Sequence, residues 1–163
     1  MDEQRRIFLA GAGQMAVLAA CAPLARAAGQ ATPVAYPFSL GVASGSRLPN
    51  SVILWTRILA DPLNAAATPP VAFAVRWEVA HDEGFTRVAA KGSASAVPAL
   101  AHSVHVDATG LEPGRWYWYR FMLGDAVSPV GRTRTAPAAD SLPAMLKMAV
   151  ASCQHWEFGS FAD

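Results

Sequence analysis

The sequence predicts an all-β protein built as an antiparallel sandwich, on three observations. Short apolar runs with a period of two recur between Phe38 and Pro137. Turn residues punctuate most of the gaps, in the stretches "SRLPN", "ATPP", "DEG", "EPG" and "GD". Between the runs, the 3.6-residue period of an amphipathic helix is nowhere convincing. About seven strands spaced in this way are the pattern of a two-sheet sandwich.

The chain opens on a segment that reads as an address rather than as structure. Arg5 and Arg6 directly precede "IFLAGAGQMAVLAACAPLA", Ile7 to Ala25, which carries no charge, is diluted by Gly11, Gly13 and Gln14, and leads into the small-residue site "ARA" at Ala25 to Ala27. Two arginines before a weakly apolar stretch resemble a twin-arginine export signal. Residues 1–27 are therefore expected to form a signal-peptide helix that is cleaved after Ala27, and the protein is expected to be periplasmic or secreted. The stretch is long enough to compete as a membrane-spanning helix, but its glycines and the A-x-A site favour a cleaved leader. "LAAC", Leu18 to Cys21, also resembles a lipoprotein cleavage box; in that alternative Cys21 carries lipid and holds the protein at a membrane. On either route Cys21 is removed or acylated, which leaves Cys153 without a disulfide partner in an exported chain.

The strands follow in order. "FSLGVASG" (Phe38 to Gly45) and "SVILWTRIL" (Ser51 to Leu59) come first. "VAFAVRWEVAHD" then places Val71, Phe73, Val75, Trp77 and Val79 on one face and Arg76, Glu78 and Asp82 on the other, the alternation of a half-buried strand. "RVAAKGSASAV" (Arg87 to Val97), "HSVHVDATGL" (His102 to Leu111), "RWYWYRFML" (Arg115 to Leu123) and "SPVGRTRTAP" (Ser128 to Pro137) complete the series. In "LEPGRWY", a turn from Glu112 to Gly114 stands just ahead of Tyr117, the sequence form of a tyrosine corner, in which a phenol reaches back to backbone at a sandwich edge. Alternation sends Tyr117, Tyr119 and Phe121 one way and Trp116, Trp118 and Arg120 the other, so both faces of this strand are aromatic. Trp116 and Trp118 then either fill a two-sided core or cover a neighbouring domain. His81, His102 and His105 fall in these strands at positions read as solvent-facing. Arg132 and Arg134 share one strand face, where they contact phosphate or, as such pairs more often do, face water or pack on tryptophan.

The β domain spans residues 38–137. After it, "AADSLPA", residues 138–144, reads as a linker, and "LKMAVASC" runs apolar without clean alternation, as a strand covered on both faces does. Residues 145–163 are expected to be the start of an α/β domain, cut off after its first strand.

Composition limits the function. With 163 residues, 53% hydrophobic and 15% charged, the chain supports one modest core and is too apolar for a disordered protein. Thirteen basic against twelve acidic residues give a net charge of +1, which provides no field to gather nucleic acid or an acidic membrane surface. No nucleic-acid recognition is expected.

Six blocks in order, "FSLGVASGS", "VILWTR", "VRWEVAHDEGF", "VHVDATGLEPGRWYWYRF", "SPVGRTRTAP" and "AVASCQHWEFGSF", resemble the amino-terminal part of the PhoD-like alkaline phosphatases, the alkaline phosphatase D family. The likeness runs from Phe38 to Phe161. It implies an exported enzyme that hydrolyses phosphate mono- or diesters, made of an export signal, an immunoglobulin-like or fibronectin-III-like sandwich, and a larger metallophosphoesterase domain that packs on the sandwich. Ser46 and Asn50 stand where the family often has aspartate; neither is expected to touch chemistry.

In the resembled family a cysteine in an "SCQ" setting after this strand ligates iron, with calcium ions completing the site, and Cys153 takes that position. A thiolate suits the task because a bound cation stabilises its deprotonated form and soft sulfur favours transition metals. Without the family context, Cys153 reads as an inert buried thiol. His155, Glu157 and Asp163 lie near it in sequence but repeat no known metal signature, and His155 reads as a supporting or surface residue. No residue is assigned a catalytic role. The chain alone is expected to be inactive and to hold neither iron nor calcium stably. The alternative to part of a phosphatase is a non-catalytic exported sandwich that binds a partner.

Overall fold

The structure, a computed structural model, describes residues 35–142 together with Met145, Ala149 and Val150. The expected signal peptide with Cys21, all of the expected strand after the linker except Ala149 and Val150, and Cys153, His155, Glu157 and Asp163 lie outside the described residues.

Eight strands follow one another: β1 (Val42–Gly45), β2 (Ser51–Arg57), β3 (Phe73–Ala80), β4 (Val88–Ala96), β5 (Ser103–Thr109), β6 (Trp116–Leu123), β7 (Ala126–Val127) and β8 (Gly131–Arg134). Among the described residues there is no α-helix, only two short 3-10 turns at Ala65–Ala67 and Pro98–Leu100. All strand pairings are antiparallel. One sheet has the order β1-β2-β5; the other has the order β4-β3-β6, with β7 and β8 dividing the far edge of β6 between them. Every second residue of the central strands is buried, because a pleated strand presents alternate side chains to opposite faces. Val52 and Leu54 of one sheet join Phe73, Val75, Tyr117 and Phe121 of the other in a single apolar cluster. Two facing antiparallel sheets around one core make this an immunoglobulin/fibronectin-III-like sandwich.

The corner that ties β5 to β6 forms as its sequence predicts. Gly114 takes φ 66°, the left-handed conformation that the turn requires. Tyr117, fully buried, turns its hydroxyl back to accept the Glu112 N–H at 2.8 Å. Thr135 Oγ1 closes the same corner, accepting from Arg115 N–H at 3.0 Å and donating to Glu112 O at 2.7 Å.

Four expectations are corrected. Val71 does not lead the inward face of its strand: β3 starts at Phe73, and Val71 N–H instead donates to Pro69 O at 2.8 Å in a turn that leaves the side chain exposed. The run from Ser128 to Pro137 holds a shorter strand than expected, β8 alone at Gly131–Arg134, because Pro129 near its start has no N–H to give to a ladder. Between β7 and β8, Ser128 accepts the Phe121 N–H on its Oγ at 2.9 Å, and β8 begins at Gly131. His102 is buried rather than solvent-facing. Ala101 and His102 both adopt left-handed backbone, φ 50° and 57°, which folds the imidazole inward against the Phe73 ring, where Nε2 donates to Val71 O at 3.0 Å. His81 is only half exposed, with its ring 5.3 Å from that of Tyr117 and its Nδ1 buried. His105, by contrast, faces water.

Candidate functional site

The most distinctive surface lies on the outer face of the larger sheet, where β6 and β8 run side by side. The register pairs Trp116 with Arg134 and Trp118 with Arg132, and all four side chains fall on the face away from the core. They interleave. The Arg132 guanidinium lies 4.0 Å from the centre of the Trp116 ring and 5.5 Å from that of Trp118, and Arg134 lies 5.7 Å from Trp116 on the next rung. A planar cation stacked on an indole is attracted by the negative ring face, so the array orders itself. Trp116 nevertheless remains 44% exposed.

The row continues along β6. Arg120 lies 4.0 Å over the Phe85 ring and directs Nε and Nη2 to Glu78 Oε2, at 3.1 and 2.8 Å. Glu78 and Arg120 are direct cross-strand neighbours of β3 and β6. Phe85 reaches the row because it takes a left-handed φ of 55° in the β3–β4 turn.

Behind this face, Tyr119 packs closely on its cross-strand partner Gly131 of β8. Its ring fills the space where a side chain on Gly131 would stand, a Cβ there falling 2.2 Å from Cζ. Burial pushes its phenol pKa up, partly offset by a hydrogen bond with the Ser44 side chain of β1.

Among the sequence-predicted residues, Arg132 and Arg134 do share a face, and they pack on tryptophan. Trp116 and Trp118 do not fill a second core: Tyr117, Tyr119 and Phe121 take the inside of the strand, and the tryptophans take the outside. The sequence reading missed the Glu78–Arg120 pair and the Phe85 stack. The alternation of β3 and β6 did place Glu78 and Arg120 on outward faces, but their pairing depends on the non-local register of the two strands. Among the described residues no three His, Cys, Asp or Glu side chains converge on a common point. The described residues do not fit a site for iron and calcium, and Cys153 lies outside them.

The family described as "PhoD-like phosphatase, N-terminal domain" matches residues 23–137. Alkaline phosphatase D of Bacillus subtilis (strain 168) is 48% identical over an alignment 163 positions long, which covers 96% of this chain and 28% of that protein. The chain thus spans little more than a quarter of the relative's length. Among solved structures, that of PhoD is 56% identical and matches with a TM-score of 0.63 over 64% of this chain and 20% of that one. A human fibronectin type III domain, 9% identical, matches 75% of this chain and 90% of its own length with a TM-score of 0.49.

Proposed function

The chain belongs to the PhoD-like phosphatases, whose N-terminal domain it carries, and from that we propose that it is the non-catalytic leading domain of an exported phosphatase acting on phosphate mono- or diesters. The observation that carries this reading is where the family match ends, at residue 137, just past the last strand of the sandwich. The relative extends far beyond the aligned part, and the catalytic groups belong to sequence of that kind. Iron and calcium, if held by residues of that further sequence together with Cys153, would supply Lewis-acid chemistry for a phosphate ester. Cys153 is the iron ligand contributed from this chain, on the strength of its "SCQ" setting. The sandwich itself binds no reacting atom; it is the platform on which the catalytic domain rests. Arg5 and Arg6 direct export of the folded protein by the twin-arginine route, and cleavage after Ala27 releases it into the periplasm.

Expression of the 163-residue chain, and of the same gene extended through the reading frame that follows Asp163, tests the reading. With iron and calcium present, the extended protein should hydrolyse p-nitrophenyl phosphate in the periplasmic fraction and the short chain should not. Cys153→Ala should lower both the rate and the iron content of the extended protein, and Arg5→Lys with Arg6→Lys should keep the activity out of the periplasm. Metal-dependent hydrolysis by the short chain, or an extended protein without hydrolysis, would overturn the assignment. Full iron and full rate in Cys153→Ala would remove that residue from the metal site.

A further inference from the structure

We infer that the arginine–tryptophan face of β6 and β8 is the docking surface for a carboxylate-bearing face of the catalytic domain, with Arg132 as its receptor. The inference rests on the proposed function above and adds the surface and the chemistry of the contact.

The central observation is an imbalance within one row of side chains. Three guanidiniums lie on aromatic rings, but among the described residues only Arg120 has its charge answered, by Glu78. Among the described residues, Arg132 and Arg134 have no carboxylate within ion-pair distance; the ion pairs present are Arg120–Glu78 and Arg115–Glu112. Arg134 gives Nε to Gly114 O at 3.1 Å, whereas Arg132 donates no hydrogen bond among the described residues. Stacking occupies the faces of a guanidinium and leaves its N–H donors pointing outward in the plane. Arg132, whose guanidinium lies over Trp116 and near Trp118, is therefore a fork whose donors are unspent among the described residues. The two rings restrict its side chain before a partner arrives, which lowers one cost of binding.

Such a fork matches a planar carboxylate, which accepts two parallel N–H bonds. The setting selects a protein surface as its bearer. Exposed Trp116 stands beside Arg132 on a broad sheet face, and tryptophan with arginine is the composition found at the centre of protein interfaces. A free anion would satisfy the fork and leave the indole wet.

Connectivity points to the catalytic domain as that surface. The strand carrying Arg132 and Arg134 is the last of the sandwich, and the chain leaves from its Arg134 end, where Ala136 O accepts the Gly114 N–H at 2.8 Å. Sequence that follows is tethered at the end of this row, so its effective concentration there is in the range of about millimolar for a short linker.

Calorimetry of the extended protein tests the contact. The sandwich in the extended wild type should melt at a higher temperature than in the 163-residue chain, coupled to the catalytic domain. Arg132→Gln with Arg134→Gln should bring that transition down to the temperature of the 163-residue chain carrying the same two changes, a reference that absorbs any loss inside the sandwich itself. Arg132→Lys, which keeps the charge and loses the fork, should uncouple the domains as well. Arg76→Gln, on β3 of the same sheet but outside the row, should leave the coupling intact. Coupling retained in the double variant, or equal melting of the sandwich in the extended and short wild-type chains, would overturn the inference. Binding of inorganic phosphate to the short chain that is lost in Arg132→Gln would also overturn it, by giving the fork to a free anion. The p-nitrophenyl phosphate assay on the same samples separates the two levels: hydrolysis with unaltered coupling sinks only this contact, and absent hydrolysis in the extended wild type sinks the proposed function.

Discussion

The Tyr117 hydroxyl, on a fully buried side chain, takes the N–H of Glu112. Removing that one oxygen leaves a donor without its acceptor, the costly way to lose a hydrogen bond. Tyr117→Phe should therefore destabilise the sandwich by about 1–3 kcal/mol. Urea unfolding measures it, and an unmoved midpoint would mean that the corner does not carry load. Tyr117 was legible in the sequence because its partner lies five residues away and the turn between them announces itself through Glu112, Pro113 and Gly114. His102 was not legible. Its burial depends on left-handed backbone at Ala101 and His102, residues whose types give no sign of it. Gly131 is a similar case: its lack of a side chain is required by the Tyr119 ring on the neighbouring strand, a contact that only the register of β6 and β8 creates.

Among the elements, the β3–β4 hairpin shows how one carboxylate shapes a surface. Asp82 accepts hydrogen bonds from the backbone N–H of Thr86 at 3.0 Å, from Thr86 Oγ1 at 3.1 Å and from the backbone N–H of Arg87 at 3.0 Å. These bonds favour the ionised form, led by the Thr86 N–H, and hold the carboxyl pKa below its usual value. A carboxylate whose folded pKa is depressed contributes stability above its unfolded pKa, and that contribution fades as pH falls through the folded one. The melting temperature of the wild type should thus exceed that of Asp82→Ala by a constant margin at neutral pH, and the margin should shrink as pH drops below about 4. A margin independent of pH would show that the ionised carboxylate is not what holds the turn. Opening this turn should also displace Phe85, on whose ring Arg120 lies. The existence of β3 and of β6 could be read from their period-two patterns, since alternation is a property of each strand alone. The late start of β8 within the last run could also have been read, from Pro129, had its missing N–H been weighed against the ladder that a longer strand would need.

For the whole molecule, the sheets are assembled from distant parts of the sequence. β5 completes the first sheet against β2, and β6 joins β3 in the second, so neither sheet is contiguous along the chain. Local pattern supplies the strands and the corner. Which strands pair, and hence the meeting of Glu78 with Arg120 and of Arg132 with Trp116, follows only from closing both sheets around one core. The resemblance read from ordered sequence blocks reached the family, because those blocks follow the strands and turns that define this domain. Its candidate metal ligand, Cys153, lies beyond residue 137, where the matched domain ends. We propose that the sandwich folds as a unit and holds its shape without catalytic machinery. The most direct measurement is the denaturant unfolding of a fragment containing only residues 38–137, followed by tryptophan fluorescence and far-ultraviolet circular dichroism. The two probes should report one shared cooperative transition, close to that of the 163-residue chain. A fragment that is unfolded without denaturant would contradict the account.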